Sequence, residues 1–186
     1  MNTFANKVTN FFLHMDLIDD DQIEWCHYSL QTFFTNSSGF FLLMAIGLFL
    51  APWPQVLLLN LGVAFLRTKA GGLHMPTAVT CFIVSLLFEC VCLLVLPFMF
   101  EQAAILILVV SILVLFRFAP CNNQAIHCDA EELSLMKREL HIRLITFSIV
   151  ASGLLVLSPM LAYAIVMSTF VVSLSVVLSK MGVGIR

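Results

Sequence analysis

Six apolar runs, separated by short polar or proline-containing breaks, make up most of the chain. A membrane-spanning helix needs about 20 predominantly apolar residues, and most of the runs approach that length. The first run is expected to begin near residue 28, and the next five cover residues 55–66, 77–100, 103–118, 142–157 and 160–178. The pattern predicts an all-α integral membrane protein with about six transmembrane helices in residues 28–180.

Breaks between the runs predict where the helices end. Pro52 and Pro54 stop the first run, because proline lacks a backbone donor and disfavours helix in the residue before it. Ser158-Pro159 predicts a tight turn between the last two runs. Polar loops are expected at residues 67–76 and 119–139.

The run 55–66 is short for a complete span. It is either a short spanning helix, with Trp53 and Arg67 marking its two interfaces, or a re-entrant helix. Asn60 lies in its middle and requires a hydrogen-bond partner in an apolar environment. Small polar side chains on the last run, Ser168, Ser173 and Ser175, are suited to helix packing within or between chains.

Residues 2–17 carry apolar side chains at helical spacing, with polar side chains mostly on the other face. This pattern predicts an amphipathic helix lying in the membrane interface. Together with the six runs it gives one polytopic membrane domain over residues 1–186.

Composition supports a membrane protein. The 186 residues are 61% hydrophobic and 11% charged, whereas a soluble domain carries roughly 25% charged residues. Six spans with both termini on one side place every lysine and arginine on that side, which the positive-inside rule identifies as the cytoplasm. The basic residues are too few and too scattered for a nucleic-acid surface.

The six cysteines are expected to be reduced, because four of them fall at or near the cytoplasmic face and two inside an apolar run. Cys121, His127, Cys128 and Asp129 do not have the paired spacing of a zinc site, so a solvated loop is the favoured interpretation there. No metal or other cofactor is expected.

The strongest chemical signal lies in residues 67–81, where a base and a thiol flank a break. On one continuous helix His74 and Cys81 would lie about 10 Å apart along the axis, too far for a hydrogen bond. Gly71 and Gly72 permit backbone conformations that other residues avoid, and Pro76 disfavours helix in the residue before it. We therefore expect a loop that lets His74 fold back towards Cys81.

Cations near the thiol would favour its thiolate form, and Arg67 and Lys69 lie just ahead of the break. The structural alternative is that the glycines make a turn, His74 is interfacial and Cys81 packs. Glu89 lies two turns beyond Cys81, and an ionisable residue at that depth is a functional candidate. Its alternative is a protonated or paired carboxyl bonded to Asn60 or to a serine of another helix.

The string R-x(3)-G-G-x-H-x(6)-C at residues 67–81, the amphipathic N-terminus, the six runs and the sequence F-R-F-A-P at 116–120 resemble the accessory gene regulator B (AgrB) family. Members are bacterial membrane cysteine endopeptidases that process the precursor of a cyclic autoinducing peptide for quorum sensing. The resemblance implies a short amphipathic propeptide as substrate, membrane lipid as surroundings and a homodimer. It also implies the bacterial plasma membrane as location, with both termini cytoplasmic.

By position, the resemblance makes Cys81 the nucleophile and His74 its general base, with Arg67 and Gly72 as supporting residues. It implies a thioester on Cys81 and ring closure to a thiolactone or lactone. The loop after Pro120 is a departure, because it carries amides and an acidic run where members carry more lysines.

Two other classes of function are compatible with the sequence. A small transporter would use Glu89 and Asn60 to line a path, with the glycine loop as a gate. In a membrane scaffold, neither His74 and Cys81 nor Glu89 and Asn60 would take part in chemistry.

Overall fold

Helices account for nearly all of the chain that the structure, a computed structural model, describes, which is residues 2–15, 17–121 and 129–184. Seven α-helices follow one another in these residues, and short 3₁₀ turns precede α2 and follow α4. Their bounds are α1 Asn2–His14, α2 Ile23–Gly47, α3 Trp53–Ala70, α4 Ala78–Val95, α5 Glu101–Phe118, α6 Ala130–Leu157 and α7 Pro159–Lys180. The all-α prediction is confirmed.

Two helices begin earlier than the apolar pattern predicts. Helix α2 starts at Ile23 rather than near residue 28, after a 3₁₀ turn that Asp19 and Gln22 close with a reciprocal capping box. Helix α6 starts at Ala130, where Asp129 and Glu132 form a second capping box. The expected 119–139 loop is therefore wrong in its second half, whose charged residues lie on α6.

The expected 67–76 loop is also shorter than predicted. Helix α3 continues to Ala70, so Arg67 and Lys69 belong to its last turn and the break covers residues 71–77. The N-terminal helix α1 is present but ends at His14, three residues before the predicted end. The Ser158-Pro159 turn is confirmed, because a single residue separates α6 from α7.

Backbone proximity divides the chain into two compact units, Met1–Leu43 and Met44–Arg186. The first contains α1 and most of α2, and in α1 the hydroxyl of Thr9 donates to the carbonyl oxygen of Ala5 at 2.9 Å. The second contains the last turn of α2 and helices α3 to α7.

Helix α7 is the centre of the second unit, because α3, α5 and α6 all pack against it. Its small residues allow close approach, as where Ser168 fills the space beside Gly62 of α3. The stacked rings of Phe65 and Phe147 join α3 to α6. Gly62 and Gly72 approach Ser168 and Ser175 in the same order along the chain, so α3 runs parallel to α7. Phe65 and Lys69 contact Phe147 and Glu139 in the opposite order, so α3 is antiparallel to α6.

Two apolar clusters fill the interior of this unit. One includes Leu59, Leu93 and Val166 and occupies the end where α4 finishes and α5 begins. The other includes Leu66, Leu115 and Val176 and lies beneath the break after α3. The basic residues of these helices lie in the last turns of α3, α5 and α7 and in the first half of α6, namely Arg67, Lys69, Arg117, Lys180, Lys137, Arg138 and Arg143.

Within the described residues, four helices are long and apolar enough to cross a membrane: Ala78–Phe98, Glu101–Phe118, Glu131–Leu157 and Pro159–Lys180. Several such helices make this a multi-pass membrane protein. Helix α2 carries polar side chains in its first half, and α3 has 18 residues including Arg67 and Lys69. The count of six spans stays a prediction.

Candidate active site

The break between α3 and α4 is built by two glycines and a helix cap. Gly71 has a φ of 68° and Gly72 a φ of 130°. Residues with a Cβ rarely adopt these backbone angles. Gly71 ends α3 by donating its N–H to the carbonyl oxygen of Arg67 at 3.0 Å. Helix α4 begins after Thr77, whose side chain accepts from the Thr80 amide at 3.1 Å. The predicted helix break is confirmed.

Gly72 also meets a steric requirement. A Cβ at this position would overlap the hydroxyl oxygen of Ser175 on α7. At Gly71 a Cβ would come within 2.9 Å of the carbonyl oxygen of Cys121. The two glycines thus let the loop lie directly on α7 and on the segment that follows α5.

Arg67 links the two arms of the site. Its Nη2 donates to the carbonyl oxygen of Leu73 at 2.6 Å and lies 3.9 Å from Sγ of Cys81. Leu73 directly precedes His74, so one guanidinium contacts both the loop that carries the imidazole and the thiol.

His74 lies on the loop and is partly buried. Burial, and secondly the positive charge of Arg67, lower the pKa of His74 below its ordinary value of 6.5. Both effects disfavour the imidazolium, so the neutral imidazole, which can accept a proton, predominates at neutral pH. In the part of the chain that the structure describes, no hydrogen bond joins His74 to Cys81.

Cys81 lies in the first turn of α4 and is partly exposed, with its amide donating to the carbonyl oxygen of Thr77 at 3.0 Å. The N-terminal turn of a helix carries a partial positive charge. Exposure, a helix N-terminus and a nearby guanidinium together make Cys81 suited to nucleophilic chemistry.

A second cysteine near the site has the opposite character. Cys121 is 3% exposed, and its amide donates to the carbonyl oxygen of Ala70 at 3.0 Å. Burial raises the pKa of the Cys121 thiol, and Lys180 and Ser179 offset only part of that effect. Cys121 is therefore a structural residue, which holds the end of α3. His127 and Cys128, the other residues of the zinc alternative, lie outside the described residues.

Two predicted supporting residues lie away from the Arg67–Cys81 contact. Lys69 forms an ion pair with Glu139 of α6 at 2.6 Å. Glu89 lies eight residues beyond Cys81 on α4, about 12 Å along the axis, and its Oε1 accepts from Nδ2 of Asn60 at 2.7 Å. The expected bond between Glu89 and Asn60 is present, and a functional role of Glu89 stays a prediction.

Sequence reasoning missed two residues that build the site. Ser175 accepts from the Leu73 amide at 2.8 Å, and the sequence signal was only a small polar residue suited to packing. Arg143 of α6 donates to the carbonyl oxygen of Phe65 and, at 2.6 Å, to Oγ1 of Thr68. Both contacts join residues more than 70 positions apart, so no local pattern indicates them.

Comparison with known proteins gives a family and no individual relative. No curated protein matches the chain, and no solved structure matches it either. A family model described as accessory gene regulator B matches residues 4–178. This match covers the glycine break, His74, Cys81 and all seven helices except the ends of α1 and α7. The chain therefore belongs to the accessory gene regulator B (AgrB) family.

Proposed function

We propose that the protein is a membrane cysteine endopeptidase that cleaves the C-terminal part of a quorum-sensing propeptide and promotes its cyclisation. The observation that carries the proposal is the position of Arg67, which contacts both Sγ of Cys81 and the residue before His74. The family match supports the peptide substrate. Residues 71–77 are not helical, which gives His74 the freedom to approach the sulfur when the peptide binds.

In the first half of the proposed reaction, His74 accepts the thiol proton of Cys81, and the thiolate attacks the carbonyl carbon of the scissile peptide bond. The C–N bond then breaks, and His74 returns the proton to the departing amine. The N-terminal part of the propeptide remains on Cys81 as a thioester, while the C-terminal part leaves.

In the second half, a thiol or hydroxyl of the bound peptide attacks the thioester carbon. The C–S bond breaks, Cys81 recovers its proton and the peptide closes to a thiolactone or lactone. An acyl bond replaces an acyl bond, so the step needs no nucleotide hydrolysis.

The surroundings of the site accord with a cytoplasmic location in a bacterial plasma membrane. Arg67, Lys69, Arg117 and Lys180 lie in the last turns of α3, α5 and α7, and the positive-inside rule assigns the side that carries them to the cytoplasm. We propose on this basis that the propeptide is presented from the cytoplasm or the inner leaflet and, with six spans, that both termini are cytoplasmic. The proposal that the active form is a dimer rests on the family match.

The test is to incubate the purified protein with candidate propeptides and to search by mass spectrometry for an acyl adduct on Cys81. Wild type should form the adduct and release the C-terminal fragment, whereas Cys81→Ala should do neither. Cys121→Ala is the matched control, because its thiol is buried, and it should keep activity if it folds. An adduct on another cysteine, or cleavage by Cys81→Ala, would contradict the proposal.

The transporter alternative makes the reverse prediction. Cys81→Ala would keep transport, and Glu89→Gln would lose it. The scaffold alternative predicts that neither change affects anything except stability. The same set of variants therefore separates the three classes of function.

A further inference from the structure

A single hydroxyl of α7 holds the loop that carries His74. Ser175 is buried, and its Oγ accepts a hydrogen bond from the Leu73 amide at 2.8 Å across 102 positions of sequence. The carbonyl oxygen of the same Leu73 accepts from Arg67. Leu73 is therefore held at both of its backbone polar groups, by α7 on one side and by α3 on the other.

The fit between Ser175 and the loop extends to the neighbouring residue. The Ser175 hydroxyl occupies the space that a Cβ of Gly72 would need. Two consecutive loop residues are thus matched to this serine, one by the absence of a side chain and one by a hydrogen bond.

Neighbouring hydroxyls of α7 behave differently. Ser168, Thr169 and Ser173 donate to the carbonyl oxygens of Ile165, Val166 and Phe170, three residues earlier in α7 itself. These bonds satisfy hydroxyl groups in an apolar helix. Ser175 instead accepts from a different segment, so its role is not explained by the needs of α7.

We propose that Ser175 is a positioning residue of the active site: its bond to the Leu73 amide holds the 71–77 loop where Arg67 reaches both Leu73 and the Cys81 sulfur. The inference rests on the proposed function of His74 and Cys81. Loss of the hydroxyl would leave the Leu73 amide buried without its acceptor, which is costly, so the loop would move and loosen the Arg67 contact with the sulfur.

The contact of Arg67 with the Cys81 sulfur provides a suitable measurement. The guanidinium of Arg67 lies 3.9 Å from Sγ of Cys81. If the loop loosens and Arg67 moves, the surroundings of the sulfur change, and so does the rate at which the thiol reacts with a small alkylating reagent.

The experiment measures the rate at which iodoacetamide alkylates Cys81 at a fixed pH, in the full chain in detergent and without peptide. Mass spectrometry of the fragment that contains Cys81 separates this thiol from the others. We expect Ser175→Ala to change this rate by about threefold or more. Ser173→Ala, with a buried serine of the same helix, should keep the wild-type rate. An unchanged rate in Ser175→Ala, or an equal change in Ser173→Ala, overturns the inference.

A pair of isosteric variants covers the case in which Ser175→Ala does not fold. Ser175→Thr and Ser175→Val have side chains of the same shape, and only threonine keeps the hydroxyl. The inference expects the threonine variant to keep an alkylation rate close to wild type and the valine variant to depart from it. Equal rates in the two variants overturn it. So does folding of the threonine variant alone, because Ser175 would then be a general structural residue.

Failure of the inference can be told apart from failure of the proposed function. A wild-type protein that cleaves no propeptide and forms no adduct on Cys81 overturns the function. A changed alkylation rate in Ser175→Ala, together with about a tenfold lower kcat and little change in KM, supports the positioning role. A kcat that is unchanged in Ser175→Ala overturns it while leaving the endopeptidase proposal intact.

Discussion

The guanidinium of Arg67 donates to the carbonyl oxygen of Leu73 at 2.6 Å, across the end of α3. Leu73 precedes His74, and the same guanidinium lies 3.9 Å from the Cys81 sulfur. One positive charge therefore acts on both proposed reacting groups. Together with burial it lowers the pKa of His74 and so favours the neutral imidazole that a general base requires.

The lowered pKa of His74 predicts the acid side of the pH–rate profile. If neutral His74 is the base, kcat/KM falls as pH drops through its pKa, and this pKa lies below 6.5 because of burial and Arg67. We therefore expect the acid limb of kcat/KM for propeptide cleavage below pH 6.5. Arg67→Gln should move the limb to higher pH in the activity that remains, because the charge that lowers the pKa is gone. An acid limb above pH 6.5 in wild type would contradict this assignment.

Gly72→Ala should damage the site, whereas Gly153→Ala should not. An alanine at Gly72 would have to adopt a φ of 130° and would overlap Ser175; strain of this kind costs of order 1–3 kcal/mol. A Cβ at Gly153 of α6 meets nothing within 4 Å, and alanine is the better helix former by roughly 1 kcal/mol. Thermal unfolding and propeptide cleavage check both variants. Equal loss in the two would mean that the loop conformation is not the cause.

Glu89→Gln should keep activity to within about twofold, because a glutamine Oε1 can still accept from Asn60. Glu89→Ala should lower stability by roughly 1 kcal/mol, the scale of polar contacts between membrane helices. Cleavage assays and thermal unfolding in detergent measure the two effects, with Glu101→Gln at the exposed start of α5 as the matched control. A folded Glu89→Gln protein without activity would contradict this prediction and indicate a functional role for Glu89.

Arg143→Ala should lower stability by about 1 kcal/mol or more. Arg143 donates to Phe65 and Thr68 and lies over the Phe65 ring, 4.2 Å from its centroid. Glu139→Ala, four residues earlier on α6, should have little measurable effect, since its ion pair with Lys69 is largely exposed to solvent. Thermal unfolding at low and high salt compares the two variants. A larger loss in Glu139→Ala would contradict this ranking.

Local sequence signals were sufficient for several parts of the molecule. Gly71, Gly72 and Pro76 interrupt the helix as expected, because glycine and proline act on the backbone of their own segment. Pro159 marks the turn before α7 for the same reason. For Glu89 the sequence offered Asn60 or a serine of another helix as partner, since polar side chains in apolar helices have few others, and the structure shows the bond to Asn60.

Other parts depend on information that is spread along the chain. The charged residues at the start of α6 resemble a loop in composition, and only the pair Asp129 and Glu132 indicated a helix start. The bond between Ser175 and Leu73 depends on how α7 packs beside α3, which no periodicity within either helix reveals. The contact of Arg67 with Cys81 likewise depends on the path of the loop between them.

Helix α7 has a consequence for how the protein assembles. In its apolar window 67% of the residues are buried, against 17–22% for the other three candidate spans. Membrane helices insert individually and then associate, and α7 leaves the ribosome after α3, α5 and α6. Until α7 inserts, α3, α5 and α6 therefore lie in the bilayer without the helix against which all three pack. The loop that carries His74 gains its anchor on Ser175 only when α7 arrives, so synthesis itself delays the appearance of an ordered active site.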